Sequence, residues 1–138
     1  MVDQFSGHCL CGAVQFDCSA EPMFQANCHC DDCRRATGST FATNVFFNLE
    51  SLTVIQGSTK SFEHTADSGN TMTKEFCSFC GTQLFGHSSG RPGIKSIKIG
   101  TIDDIGNIRP EVEVFTSKAL PFTQHPEFTR KFDKGMLG

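Results

Sequence analysis

Tryptophan and tyrosine are absent from this chain, whose aromatic content is fourteen phenylalanines. Such rings carry no hydroxyl or indole N–H to satisfy, so most are expected in the core. Positive charge is in short supply too: twelve Lys and Arg face fifteen Asp and Glu, for a formal net charge of -3. Without a basic stripe interleaved with aromatics, nucleic acid is not an expected partner. No apolar run approaches the roughly 18 residues that span a bilayer, so no membrane partner is expected. Met1-Val2-Asp3-Gln4-Phe5 lacks the basic start and apolar run of a secretory signal. The expectation is a soluble cytoplasmic protein.

What the chain does have is cysteine, eight residues in closely spaced groups. In a reducing compartment such grouping points to metal or catalysis before disulfides. The length suits a single domain over residues 1–138.

Strand signals dominate. Val14, Phe16 and Cys18 alternate onto one face after the Gly-flanked turn at Gly7 to Gly12, which makes Cys18 a buried small hydrophobe. Further strands are expected at Met23 to Ala26, Phe41 to Phe47, Leu52 to Gln56, Lys60 to Glu63, Thr71 to Phe76, Leu84 to His87 and Ile94 to Ile99. Glu111 to Phe115 alternates as a half-exposed strand would. One short helix, capped by Asp31 or Asp32, runs through Arg34-Arg35-Ala36 to Gly38, and a weaker helical pattern covers His125 to Phe132. The fold class is mainly β and antiparallel.

The thiols fall into Cys9-x-Cys11, the triplet Cys28-His29-Cys30-Asp31-Asp32-Cys33, and Cys77-x-x-Cys80-Gly81, with Cys18 apart. Two residues between sulfurs followed by glycine form a zinc knuckle, in which the chain turns around one metal. Cys9 and Cys11, two apart on an extended chain, can complete it as a structural site. Cys28, Cys30 and Cys33 are then left with no fourth protein ligand nearby, the arrangement of a catalytic zinc. Spacing alone also admits Cys28 and Cys30 pairing with the knuckle, or His29 as a fourth ligand. His29 has three further readings: a second-shell group, a proton carrier, or a histidine on an exposed turn. A metal held by three thiolates favours a further sulfur as its visitor.

Gly7 to Phe16, Cys28 to Gly38, Phe76 to Phe85, Ser68-Gly69-Asn70 and Gly100-Thr101-Ile102-Asp103-Asp104 together resemble the glutathione-dependent formaldehyde-activating enzyme family, also called the CENP-V/GFA domain family, over about residues 7–121. The resemblance implies an Mss4-like β-sheet domain stapled by zinc on Cys9, Cys11, Cys77 and Cys80, with a catalytic zinc on Cys28, Cys30 and Cys33. The second Zn2+ site is expected to be partly occupied in some preparations. The resemblance also implies a carbon-sulfur lyase that joins glutathione to formaldehyde as S-hydroxymethylglutathione. Lys74, Glu113 and Phe122 depart from the family pattern, at positions where arginine, histidine and tryptophan are common.

Arg34 and Arg35 suit an anionic substrate or a solvated helix face equally. Phe46 or Phe47, with Phe79 or Phe85, could line an apolar pocket beside a metal. The leading function is addition of a thiol to a small aldehyde at Cys28, Cys30 and Cys33, with His29 or water carrying protons. The alternative is a non-catalytic, zinc-stabilised protein-interaction module.

Overall fold

The computed structural model describes residues 5–136. The start of the chain up to Gln4, read above for a secretory signal, lies outside the described residues. Among the described residues eleven strands form two sheets. The smaller contains β1 (Phe5–His8), β2 (Gln15–Cys18) and β5 (Leu52–Gln56) in the order β1-β2-β5, all antiparallel. The larger comprises β3 (Phe24–Cys28), β4 (Ala42–Asn48), β6 (Thr59–Thr65), β7 (Thr71–Cys77), β8 (Gln83–Ser88), β9 (Ile94–Lys98), β10 (Val112–Val114) and β11 (Arg130–Lys131). Its order is β11-β10-β3-β4-β9-β8-β7-β6. Among the described residues α1 (Asp31–Thr37) is the one α-helix, and none is long and apolar enough to cross a membrane.

The alternation in β2 accounts for the core. Phe16 and Cys18 point away from solvent and meet Val45, Phe47, Leu84, Phe85 and Ile97 of the large sheet. Phe16 packs edge-on against Phe85, with ring centroids 5.3 Å apart. Burial pushes the Cys18 thiol up to about 12, helped by the charge of Asp17. That thiol therefore acts as a hydrophobe. Phenylalanine is less uniformly internal than its chemistry predicts: Phe62, Phe79, Phe122 and Phe128 are exposed.

Three expectations need correction. β10 is not half-exposed, since Val112 and Glu113 are buried. It runs parallel to both β3 and β11, so the large sheet is mixed rather than antiparallel. No helix forms over His125 to Phe132; turns lead instead into β11. Pro126 and the β-branched Thr129 weaken a helix there, and the carbonyl of Glu111, just before β10, accepts from Arg130 N–H.

Gly7 marks where the chain enters the fold most tightly. A Cβ there would sit 2.2 Å from the Thr101 carbonyl oxygen and 2.3 Å from the Phe16 ring. Gly7→Ala is expected to cost about 1–3 kcal/mol through overpacking. A urea midpoint equal to that of the native protein would show that β1 can shift to make room.

Candidate functional site

Two hairpin tips bring the first cysteine group together. Cys9, Cys11, Cys77 and Cys80 place their sulfurs within 4.8 Å of one another. Cys9 and Cys11 sulfurs are 3.6 Å apart, and Cys11 and Cys77 sulfurs 3.8 Å. Tetrahedral zinc with bonds of about 2.3 Å sets sulfurs about 3.8 Å apart, so the donors suit that ion. The backbone is shaped around the sulfurs: Phe79 N–H donates to Cys77 Sγ, and Val14 N–H to Cys9 Sγ, each at 3.3 Å. Gly81, at a φ of 77°, supplies the left-handed turn after Cys80. Hydrogen bonds from Thr82 bring the Cys80 thiol down to about 5, favouring the thiolate that a metal needs.

The triplet forms a separate group. Cys28 ends β3, Cys30 is the N-cap of α1 and Cys33 lies in its first turn, with the three sulfurs within 4.8 Å of one another. The cap is therefore Cys30 rather than either aspartate; Cys33 N–H donates to its sulfur at 3.2 Å. Gly38, at a φ of 66°, closes the helix. Cys28 and Cys30 sulfurs are 3.4 Å apart and do not join the knuckle. Hydrogen bonds from the Cys28 and Cys30 thiols lower the Cys33 thiol to about 3, and the same contacts push Cys28 up. One proton therefore leaves this group readily and the rest leave with difficulty. Among the described residues no fourth His, Cys, Asp or Glu donor belongs to this group.

His29 projects the other way. It is fully buried, not on an exposed turn, and its Nε2 donates to Glu113 Oε1 at 2.7 Å. His125 Nδ1 donates to the same oxygen at 3.2 Å, and Asn27 Nδ2 donates to Oε2 at 2.7 Å. Thr43 orients Asn27 by donating to its Oδ1. The His29 ring is held against Phe41 and His125, with centroids 4.9 Å away in each case. Burial by itself would raise the Glu113 carboxyl, but the hydrogen bonds from His29, Asn27 and His125 outweigh it and hold the carboxyl below its ordinary range. His125 was not legible as a site residue from sequence, and Glu113 stood out only as a departure from the family pattern; the alternation of Glu111 to Phe115 pointed to a half-exposed strand.

Helix α1 has a cleft on each side. One, of about 590 Å³, runs between the helix and the knuckle, lined by Thr37, Thr43, Cys80, Thr82, Gln83 and Lys98. The other, of about 490 Å³, is lined by Asp32, Arg35, Phe62, His64, Lys74 and Phe76. Arg35 thus faces a cleft, whereas Arg34 is engaged with Asp31 at 2.6 Å. Phe46, Phe47, Phe79 and Phe85 line neither cleft; Phe41 lines the first, and Phe62 and Phe76 line the second. Of the three departures from the family pattern, Lys74 and Glu113 are buried and Phe122 is exposed.

Residues 4–118 match the family model described as glutathione-dependent formaldehyde-activating enzyme. The chain belongs to that family. A solved Rhodobacter sphaeroides protein is similar to this formaldehyde-activating-family chain in fold, with a TM-score of 0.56 and 21% identity over 74% of this chain and 91% of that one. No curated protein sequence matches. Family membership indicates enzymatic activity related to formaldehyde activation, and both cysteine groups are compatible with metal ions such as zinc.

Proposed function

We propose that this family member is a zinc-dependent carbon–sulfur lyase-type enzyme that joins a thiol such as glutathione to a small aldehyde such as formaldehyde. The observation that carries the reading is the triplet: three converging sulfurs from Cys28, Cys30 and Cys33, with no fourth His, Cys, Asp or Glu donor in the group among the described residues. In this reading Cys9, Cys11, Cys77 and Cys80 would hold a structural ion, and Cys28, Cys30 and Cys33 the catalytic one. Bound there, zinc would favour the thiolate form of an incoming thiol near neutral pH.

In the addition, sulfur forms a bond to the carbonyl carbon and the C=O π pair moves onto oxygen. The proton lost by sulfur ends on that oxygen, giving an S-hydroxymethyl product; the reverse reaction breaks the same C–S bond. Cys28, Cys30 and Cys33 fix where the thiol sits. His29 has a positioning part in this scheme. Its ring lies in a buried network with Glu113, so it holds the loop between two ligands rather than carrying protons to substrate.

Aldehyde consumption by metal-replete protein, with and without glutathione, tests the proposal. Native protein should require glutathione, and Cys30→Ser should lose more than about 100-fold, since even outer residues of metal sites cost 10–100-fold. Equal rates in all four cases would rule it out.

A second reading is a zinc-stabilised interaction module. Leu10 and Phe79, at the tips of the two cysteine hairpins, are 87% and 86% exposed. Glutathione-independent behaviour in the same assay would favour that reading.

A further inference from the structure

Strand alternation places an unusual set of charges beneath α1. Cys28 pairs with Ala42, and two residues along β4, on the same face, Asn44 pairs with Lys98. Ser96 lies two before Lys98 on that face and pairs with Gly86, which in turn pairs with Lys74. Cys28, Lys98 and Lys74 therefore share the face of the large sheet that lies opposite Val45 and Phe47. Gly86, without a side chain, stands between Lys74 and Ser96, and a Cβ there would come within 3.1 Å of Ser96 Oγ. Each lysine lines a cleft with residues of α1: Thr37 with Lys98, Asp32 and Arg35 with Lys74, and Ala36 with both.

Neither ammonium has an ordinary partner. Among the described residues no carboxylate lies within 4.0 Å of Lys74 or Lys98, whereas Lys95, on the opposite face of β9, is paired with Glu75 at 2.6 Å. Lys74 is only 8% exposed, and its Nζ donates to His64 Nε2 at 2.9 Å. As acceptor, that nitrogen carries no proton, which leaves the proton on Nδ1, facing Asp32 Oδ2 at 3.7 Å. His64 thus aims the ammonium without neutralising it. Burial lowers Lys98, and the nearby cysteine group, Cys33 first, opposes this. Lys74 is buried and Lys98 half-buried, and a charge drawn away from water without a carboxylate calls for a compensating charge; the cysteine group at the end of the same sheet face is the one available.

We infer that Lys74 and Lys98 are the counter-charges of the three-cysteine centre and make it select an anionic sulfur as its fourth partner. This rests on the proposed function. Three thiolates around a divalent cation carry a single net negative charge, and a fourth thiolate doubles it. Two ammoniums under the helix match the doubled charge. A water molecule adds no charge and gains nothing from them. The selectivity acts on the sulfur and not on the remainder of the thiol.

Metal-replete protein with Co2+ in place of zinc provides a readout independent of turnover, because a thiolate binding to the ion adds sulfur-to-metal charge-transfer absorption. The protein is titrated with 2-mercaptoethanol, whose tail is neutral, and with 3-mercaptopropionate, whose tail is anionic. Lys98→Gln and Lys74→Gln should each weaken both thiols about tenfold, as loss of a nearby charge in a partly buried site does. Lys98→Arg and Lys74→Arg, which keep the charge, should stay near native affinity and so separate charge from folding. Unchanged affinity in the glutamine variants, with native protein binding both thiols, overturns the inference and leaves the proposed function standing. A loss confined to 3-mercaptopropionate also overturns it, because the lysines would then hold the tail. Native protein that binds neither thiol overturns both readings together.

Discussion

Cys77→Ser is expected to abolish the fold rather than merely weaken it. Cys77 joins the end of β7 to Cys9 and Cys11, more than sixty residues earlier, and its sulfur is buried beside both. Structural zinc contributes about 10–16 kcal/mol in small metal-folded units. That equals or exceeds the net stability of a typical domain, about 5–15 kcal/mol. Serine offers no thiolate, and three sulfurs would remain to hold the ion proposed for four. Far-ultraviolet circular dichroism and amide proton dispersion of Cys77→Ser should therefore show an unfolded chain, and a chelator should do the same to native protein. Cys30→Ser should keep native dispersion, because α1 is seven residues long and none of them is buried. A Cys77→Ser protein that melts as native does would dismiss the staple.

Removing Glu113 should have the next largest effect. Its carboxylate is 1% exposed and is the acceptor for His29, His125 and Asn27, so Glu113→Ala strands three polar side chains inside the protein. Breaking a buried charged network in this way costs about 3–5 kcal/mol. Glu113→Gln keeps the shape but loses the charge, and about 1–3 kcal/mol should go with the charge-assisted bonds. The pH dependence follows from the lowered carboxyl. Its stabilisation is fully present above the unfolded value of about 4.3 and fades as pH falls through the folded value. Urea midpoints of native and Glu113→Gln proteins should thus be well separated at pH 6 and converge in stronger acid. A gap that persists unchanged at low pH would mean that the carboxylate's charge is not what the network uses.

The strands and the helix were legible because their signals are local. Val14-x-Phe16-x-Cys18 alternates with period two, and Gly38 stops α1 where a left-handed residue is required. The separation of the cysteines into groups was likewise foreshadowed by their spacing. What sequence could not reveal depends on pairing between distant segments. Glu113 reads as a surface residue in Glu111-Val112-Glu113-Val114-Phe115, because a strand covered on both edges and buried on both faces loses the alternation rule. Burial at Glu113 comes from His29 and Asn27, 84 and 86 residues away in the chain. Lys74 is similar: only the pairing through Gly86 and Ser96 places it on the same face as Cys28. Phe79 misled for the opposite reason, since a knuckle tip turns the side chain outward whatever its hydrophobicity.

The parallel union of β10 with β3 has a bearing on how the protein is made. All eight cysteines lie at or before Cys80, so a chain emerging from the ribosome possesses every sulfur long before Glu113 and His125 appear. Until then His29 has no acceptor, and one edge of β3 is bare. The knuckle can close on a nascent chain, whereas the segment carrying Cys28 and Cys30 is sealed only when β10 and His125 have followed. Construction therefore runs from scaffold to centre, and a chain that stalls before β10 would carry every thiol while its triplet stayed unfinished.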